Sequence, residues 1–68
     1  MEKRLLNIKE LSEYLNISRH TLYSWVNRGR VPYIKLNGTL RFEIAAIDKW
    51  IEENKSHPLK GYIESLKL

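Results

Sequence analysis

The 68 residues predict a mainly α fold carrying one small β-hairpin, and three observations lead there. Apolar residues recur at helical spacing in three stretches: Ile8, Leu11 and Leu15; Leu22, Trp25 and Val26; Ile44, Ile47 and Ile51. Asn37-Gly38, the strongest short-range hairpin signal, sits between two short runs of alternating apolar and polar residues. Only Asn16, Ile17 and Ser18 separate the first two periodic stretches, so those helices meet at a tight elbow. The unit over residues 10–29 reads as a helix-turn-helix, and the chain is organised around it.

A chain of this length can build only one core, so every element must share it. Residues 1–54 form the expected domain and residues 55–68 a tail. In the lead-in, Leu5 and Leu6 fray unless a later strand pairs with them. Asn7 is an N-cap, and Glu10, three residues on, is its reciprocal partner in a near capping box. The first helix therefore spans 8–15, burying Ile8, Leu11 and Leu15 and turning Lys9, Glu10 and Glu13 outward, with Tyr14 at the edge. Ser12 lies on the inner side, small enough to let another helix approach.

At the elbow, Asn16 suits the left-handed conformation of a helix end, Ile17 plugs the inside and Ser18 caps the next helix. That second helix spans 19–28, with Gly29 placed for positive φ just beyond it. Leu22, Trp25 and Val26 share one face. His20, Tyr23, Ser24, Asn27 and Arg28 spread over the other, which carries no carboxylate. Pro32 ends the helical pattern and biases Val31 toward extended backbone.

Strands are expected over 33–36 and 39–42. Alternation predicts Ile34, Leu36, Leu40 and Phe42 inside, with Lys35, Thr39 and Arg41 outside. A third helix over 44–54 buries Ile44, Ile47 and Ile51, with Trp50 beside them and Asp48, Lys49, Glu52 and Glu53 outside or at the border. Its acids place it away from any polyanion. In the tail, Leu59, Tyr62, Ile63 and Leu66 keep a helix-like spacing despite Pro58 and Gly61, giving an expectation of a partly helical segment.

Composition removes several function classes. There is no cysteine, which excludes disulfide staples and thiolate metal sites and fits a reducing cytosol. The two histidines, His20 and His57, lie far apart, and the acids show no ligand spacing, so no metal is expected. No glycine-rich phosphate loop, nucleophile–base–acid set or paired-acid constellation is present, so neither catalysis nor a cofactor is expected. The apolar runs are too short to span a membrane, and the N-terminus lacks a signal-peptide core. Trp25 and Trp50 lie at or beside helix stripes, which favours core packing over a stacking platform for single strands.

The charge is unevenly placed. Net +4 overall, the chain has Arg19, Arg28, Arg30, Lys35 and Arg41 between Tyr14 and Phe42 and no Asp or Glu there, so this segment carries the whole excess. A solvated surface is one reading; exclusion of acids across 29 residues favours a polyanionic partner. A helix in a DNA major groove needs side chains for base edges and donors for phosphate, and Arg19, His20, Tyr23, Ser24, Asn27 and Arg28 supply both. Ser18 and Thr21, near the helix start, can cap it and also donate to phosphate. Arg30, Lys35, Asn37, Gly38, Thr39 and Arg41 extend the basic surface over the hairpin, whose tight tip suits the sugar-phosphate backbone or a minor groove.

The order of parts N-I-K-E-L-S-E-Y-L-N-I-S-R-H-T-L-Y-S-W-V-N-R-G-R-V-P, then I-K-L-N-G-T-L-R-F, then I-D-K-W-I resembles the small DNA-binding domains of the excisionase family, relatives of the MerR-type winged helix-turn-helix. The resemblance covers residues 6–53. It implies a winged helix-turn-helix in which Ser18, Arg19, Thr21, Tyr23 and Arg28 lie on or beside the DNA-facing part of the second helix, and Lys35, Gly38 and Arg41 on the wing. Glu43-Ile44-Ala45-Ala46 departs from the basic and acidic pair frequent in that family before the third helix, which weakens any phosphate contact there.

What the resemblance implies is a non-enzymatic protein that binds and bends or organises a specific duplex site in the cytoplasm, associated with a bacterial or phage nucleoid. Its role is either to help an integrase choose excision, with several copies self-associating on adjacent sites, or to regulate a promoter as a MerR-like factor. Its partners are then double-stranded DNA and an integrase or recombinase, with no membrane and no small-molecule ligand. A protein-interaction module or antirepressor acting on a recombinase or repressor is the reading from a different class.

Overall fold

The computed structural model describes residues 3–55, and the tail expectation lies outside them. In chain order the elements are β1 (Leu5–Leu6), α1 (Ile8–Leu15), α2 (Arg19–Asn27), β2 (Ile34–Leu36), β3 (Thr39–Glu43) and α3 (Ile44–Glu53). The three strands form one antiparallel sheet in the order β1-β3-β2. Three short helices with a small sheet and hairpin form the architecture expected for a winged helix-turn-helix. Among the described residues no helix is long and apolar enough to cross a membrane.

Local chemistry sets each boundary. At the start of α1 the Asn7 side chain accepts from Glu10 N–H at 2.8 Å, and the Glu10 carboxylate accepts from Asn7 N–H at 3.0 Å, completing the capping box. Asn16 closes α1 in the left-handed region (φ 56°, ψ 46°). Across the elbow, Ser12 Oγ donates to the Ile17 carbonyl at 2.6 Å. Ser12 is thus more than a small packing residue: its hydroxyl satisfies a carbonyl in the turn.

The second helix ends at Asn27, one residue before the expected 28. Gly29, at φ 65°, turns the chain so that its N–H donates to the Val26 carbonyl and Arg30 N–H donates to the Trp25 carbonyl, at 3.0 and 2.8 Å. This paired closure is a Schellman cap, and it takes Arg28 out of the helix as the cap residue. Similarly α3 ends at Glu53 rather than 54, because Asn54 is its cap, the side-chain amide donating to the Trp50 carbonyl at 2.8 Å.

Strand β2 begins at Ile34, not 33, since Pro32 has no N–H to give and pairing starts opposite Arg41. Strand β3 runs to Glu43, not 42, because Leu5 pairs with Glu43 and Leu6 with Phe42. The lead-in is therefore held as a strand, and an Arg4–Glu43 ion pair at 2.8 Å fastens its start.

The faces of the hairpin differ from the expectation. Asn37 (φ 52°) and Gly38 (φ 80°) form a two-residue turn with both centres in the left-handed region, and this fixes the pairs Ile34–Arg41, Lys35–Leu40 and Leu36–Thr39. Paired residues share a face, so Ile34 and Leu36 cannot join Leu40 and Phe42 inside. Phe42 is fully buried and Leu40 packs on the core, with Lys35 on that same face. Ile34, Leu36, Thr39 and Arg41 occupy the outer face, and Leu36 is 51% exposed.

The core holds Leu6, Leu11, Leu22, Val26, Val31, Phe42 and Ile47, and Ile8, Leu15, Ile17, Ile44 and Ile51 pack against it. Trp25 and Trp50 pack there too, edge to face with ring centroids 6.1 Å apart. Tyr14 at the stripe's edge donates its hydroxyl to Asp48, linking α1 to α3.

The Asn7 N–H and the Lys3 ammonium hold the Glu10 carboxyl below the usual carboxylate range, and Arg41 adds a weaker attraction. A depressed folded-state pKa gives stability that is present above the unfolded value, about 4.3 for Glu, and lost as pH falls below it. Glu10→Gln is therefore expected to flatten the acid limb of a stability–pH curve measured by urea melts below about pH 5, whereas Asn7→Ala costs about 1 kcal/mol at neutral pH.

Candidate nucleic-acid interface

The expected contact residues come from one continuous stretch, the N-cap of α2 through β3. Ser18 caps α2, its oxygen accepting from Thr21 N–H at 3.2 Å while its hydroxyl donates to Thr21 Oγ1 at 2.9 Å. That geometry realises the capping role and ties up the Ser18 proton, while the side chain stays exposed. Arg19, His20, Tyr23, Asn27 and Arg28 are exposed on α2; Thr21 and Ser24 are half-buried at its flank. Arg30, Lys35, Asn37, Gly38 and Thr39 are exposed on the connection and hairpin.

Burial separates the two faces of α2. Leu22 and Val26 are in the core and Trp25 packs against it, which leaves the polar and cationic side chains toward solvent. Helices α1 and α3 supply no such face. The exposed residues of α3 include Asp48, Glu52 and Glu53, and those of α1 include Glu13.

The ion pairs among the described residues are Lys3–Glu10, Arg4–Glu43 and Lys55–Glu52. None uses a cation of the acid-free segment. The side chains of Arg19, Arg28, Arg30 and Lys35 have no hydrogen-bond or ion-pair partner among the described residues, so their charge is directed to solvent rather than spent on holding the fold. Such a surface attracts polyanions.

Arg41 differs from the other four. It is half-buried, its Nη1 donates to the Leu40 carbonyl at 2.7 Å, and its charge acts on Glu10. Extending the β1–β3 register by one residue places Asn7 opposite Arg41, which explains the nearness of the Asn7–Glu10 cap. Acid-free in sequence, the segment is thus not acid-free in space at this position.

The family model described as a helix-turn-helix domain matches residues 5–55. The chain belongs to this helix-turn-helix family. Its partner as a helix-turn-helix protein is double-stranded DNA, bound with sequence specificity. No curated protein and no solved structure matches the chain.

Sequence reasoning passed over Tyr33 and Leu36, which are 44% and 51% exposed beside the basic residues. Leu36 could have been found: a two-residue Asn-Gly turn sets the register, and the register sets which strand residues share Phe42's face. Tyr33 lies outside the paired strand, where alternation carries no information.

Because the Arg19 and Arg28 side chains hold nothing among the described residues, Arg19→Ala and Arg28→Ala are expected to change unfolding free energy by less than about 0.5 kcal/mol in denaturant melts. A loss several times larger in either variant would show that the guanidinium has a structural duty.

Proposed function

We propose that this protein is an excisionase-like factor that places α2 in the major groove of a specific duplex and lays the hairpin on the adjacent backbone or minor groove. The observation carrying this reading is the exposed, carboxylate-free face of α2 that continues over the hairpin, with Arg19, Arg28, Arg30 and Lys35 lacking partners among the described residues. Arg28 and Asn27 suit base edges: guanidinium grips guanine at two acceptors, and a carboxamide does the same for adenine. Thr21, Arg30, Lys35, Asn37, Gly38 and Thr39 suit phosphate and sugar, and Ser18 holds the Thr21 hydroxyl in place by donating to it. Arg41, half-buried and bonded to the Leu40 carbonyl, adds positive potential to the hairpin.

The excisionase-like role rests on the ordered resemblance of S-R-x-T-L-Y-x-W, G-R-x-P, the ribbon ending in R-F and D-x-W-I. In that role the chain organises DNA for an integrase or recombinase, with further copies on neighbouring sites, and carries out no reaction itself. Helix α3, with its acids, stands behind the reading surface.

Duplexes selected from a randomised pool provide the test. Each phosphate contact releases condensed counterions, so log affinity is expected to fall linearly with log salt, by about 0.9 per contact. Asn27→Ala or Arg28→Ala is expected to change which bases are selected, each preferred base losing about 1–3 kcal/mol of discrimination. Lys35→Ala is expected to weaken all duplexes alike and lower the salt slope by about 1. Uniform loss over every duplex in all three variants would contradict this division of labour. Adding the selected site to an integrase reaction then separates the roles: a shift from integration toward excision supports the excisionase-like reading, and promoter repression or activation without such a shift overturns it.

A further inference from the structure

The register places an apolar side chain where a DNA-binding hairpin would be expected to end in polar ones. Leu36 is the last residue of β2, immediately before the Asn37-Gly38 turn, and shares the outer face with its partner Thr39. Among the described residues it is one of four large apolar or aromatic residues that are strongly exposed; the others are Tyr14, Tyr23 and Tyr33. Tyr14 is accounted for by its hydrogen bond to Asp48. The remaining three all fall inside the carboxylate-free segment, and among them Leu36 alone has no polar atom with which to meet water or phosphate.

Its surroundings are those of a groove-facing tip. Lys35, Asn37, Gly38 and Thr39 are all exposed, and Arg41 lies one rung back on the same face. The turn is as short as a hairpin turn can be, and nothing lies within 4 Å of the space a side chain on Gly38 would fill. Strands in a ribbon are spaced about 4.8 Å apart before side chains are added, while the minor groove of B-DNA is about 6 Å wide. A ribbon tip can enter only if the groove opens. Apolar side chains pushed between base pairs do this by unstacking a step and bending the helix away.

We propose that Leu36 is a wedge that inserts at a base step in the minor groove beside the α2 contact, making the hairpin a device that deforms DNA as well as holding it. This rests on the wing reading under Proposed function. It adds specificity at a position without base hydrogen bonds, because pyrimidine–purine steps unstack most readily and would be preferred under the tip.

The test uses the full chain and a duplex selected by it, with 2-aminopurine substituted step by step along the region protected by the hairpin. With the unaltered protein, fluorescence is expected to rise at one step, marking unstacking. Leu36→Ser is expected to abolish that rise and to lower affinity roughly tenfold, the scale of burying one leucine side chain, without changing the salt slope. Leu36→Met is expected to restore most of both, since it returns apolar volume and no charge. Unchanged circular dichroism melting in both variants excludes a folding defect at this exposed position. If Leu36→Ser matches the unaltered protein in affinity and fluorescence while Lys35→Ala weakens binding, the wedge is overturned and the wing reading stands. If Leu36→Ser weakens binding but no step shows a fluorescence rise, Leu36 touches sugars only, and the wedge is again overturned. If neither Lys35→Ala nor Leu36→Ser has any effect on binding, the hairpin does not meet DNA and both readings fall.

Discussion

Burial of Phe42 on the central strand is the constraint on which the rest of this small domain depends. Phe42 is fully enclosed, pairs with Leu6 of β1, and lies in one cluster with Leu11 of α1, Leu22 and Val26 of α2 and Ile47 of α3. A chain of this size has no second core to fall back on. Inserting one side chain of β3 among three helices settles how the hairpin sits relative to the helix-turn-helix. With Phe42 inside, alternation sends Thr39 and Arg41 to the far face, and the Asn37-Gly38 turn carries that choice across to β2. The spatial relation between reading helix and hairpin tip thus comes from one buried ring and one turn.

The helices were legible because their signals are local. The Asn7–Glu10 reciprocal cap, left-handed Asn16, the Ser18 cap and positive-φ Gly29 all act within a few residues, and all stand where the sequence places them. The hairpin's faces were not read correctly from alternation alone. Ile34, Leu36, Leu40 and Phe42 are all apolar and look like one inner set, yet antiparallel pairing across a two-residue turn makes two of them share a face with Arg41 and Thr39. Pairing of Leu5 and Leu6 was open for a related reason, since it depends on a strand more than thirty residues away whose end, Glu43, binds Arg4. Local chemistry is visible in a sequence; long-range register is visible only when a turn of fixed length dictates it.

The candidate interface was partly legible for the same reason. Lack of acids between Tyr14 and Phe42 is a linear property, and in the fold it becomes a face because α2 buries Leu22 and Val26 and turns its cations outward. Ion pairs that do form, Lys3–Glu10 and Arg4–Glu43 near the N-terminus and Lys55–Glu52 at the end of α3, leave the cations of α2 and β2 without partners among the described residues. Arg41 is the exception that linear counting could not find, because Glu10 is distant in sequence yet near enough in the fold for the two charges to attract weakly. It is half-buried and bonded to the Leu40 carbonyl, so it is presented less fully than the other four cations.

The central claim is that α2 and the hairpin form one DNA-binding surface supported from behind by α1 and α3. Amide chemical-shift changes in the full chain on titrating a selected duplex at low salt test it most directly. The account predicts large changes over residues 18–30 and 35–41, with small ones at Lys9, Glu13, Asp48, Glu52 and Glu53. Changes concentrated on the acidic surfaces of α1 and α3, with α2 and the hairpin silent, would contradict it.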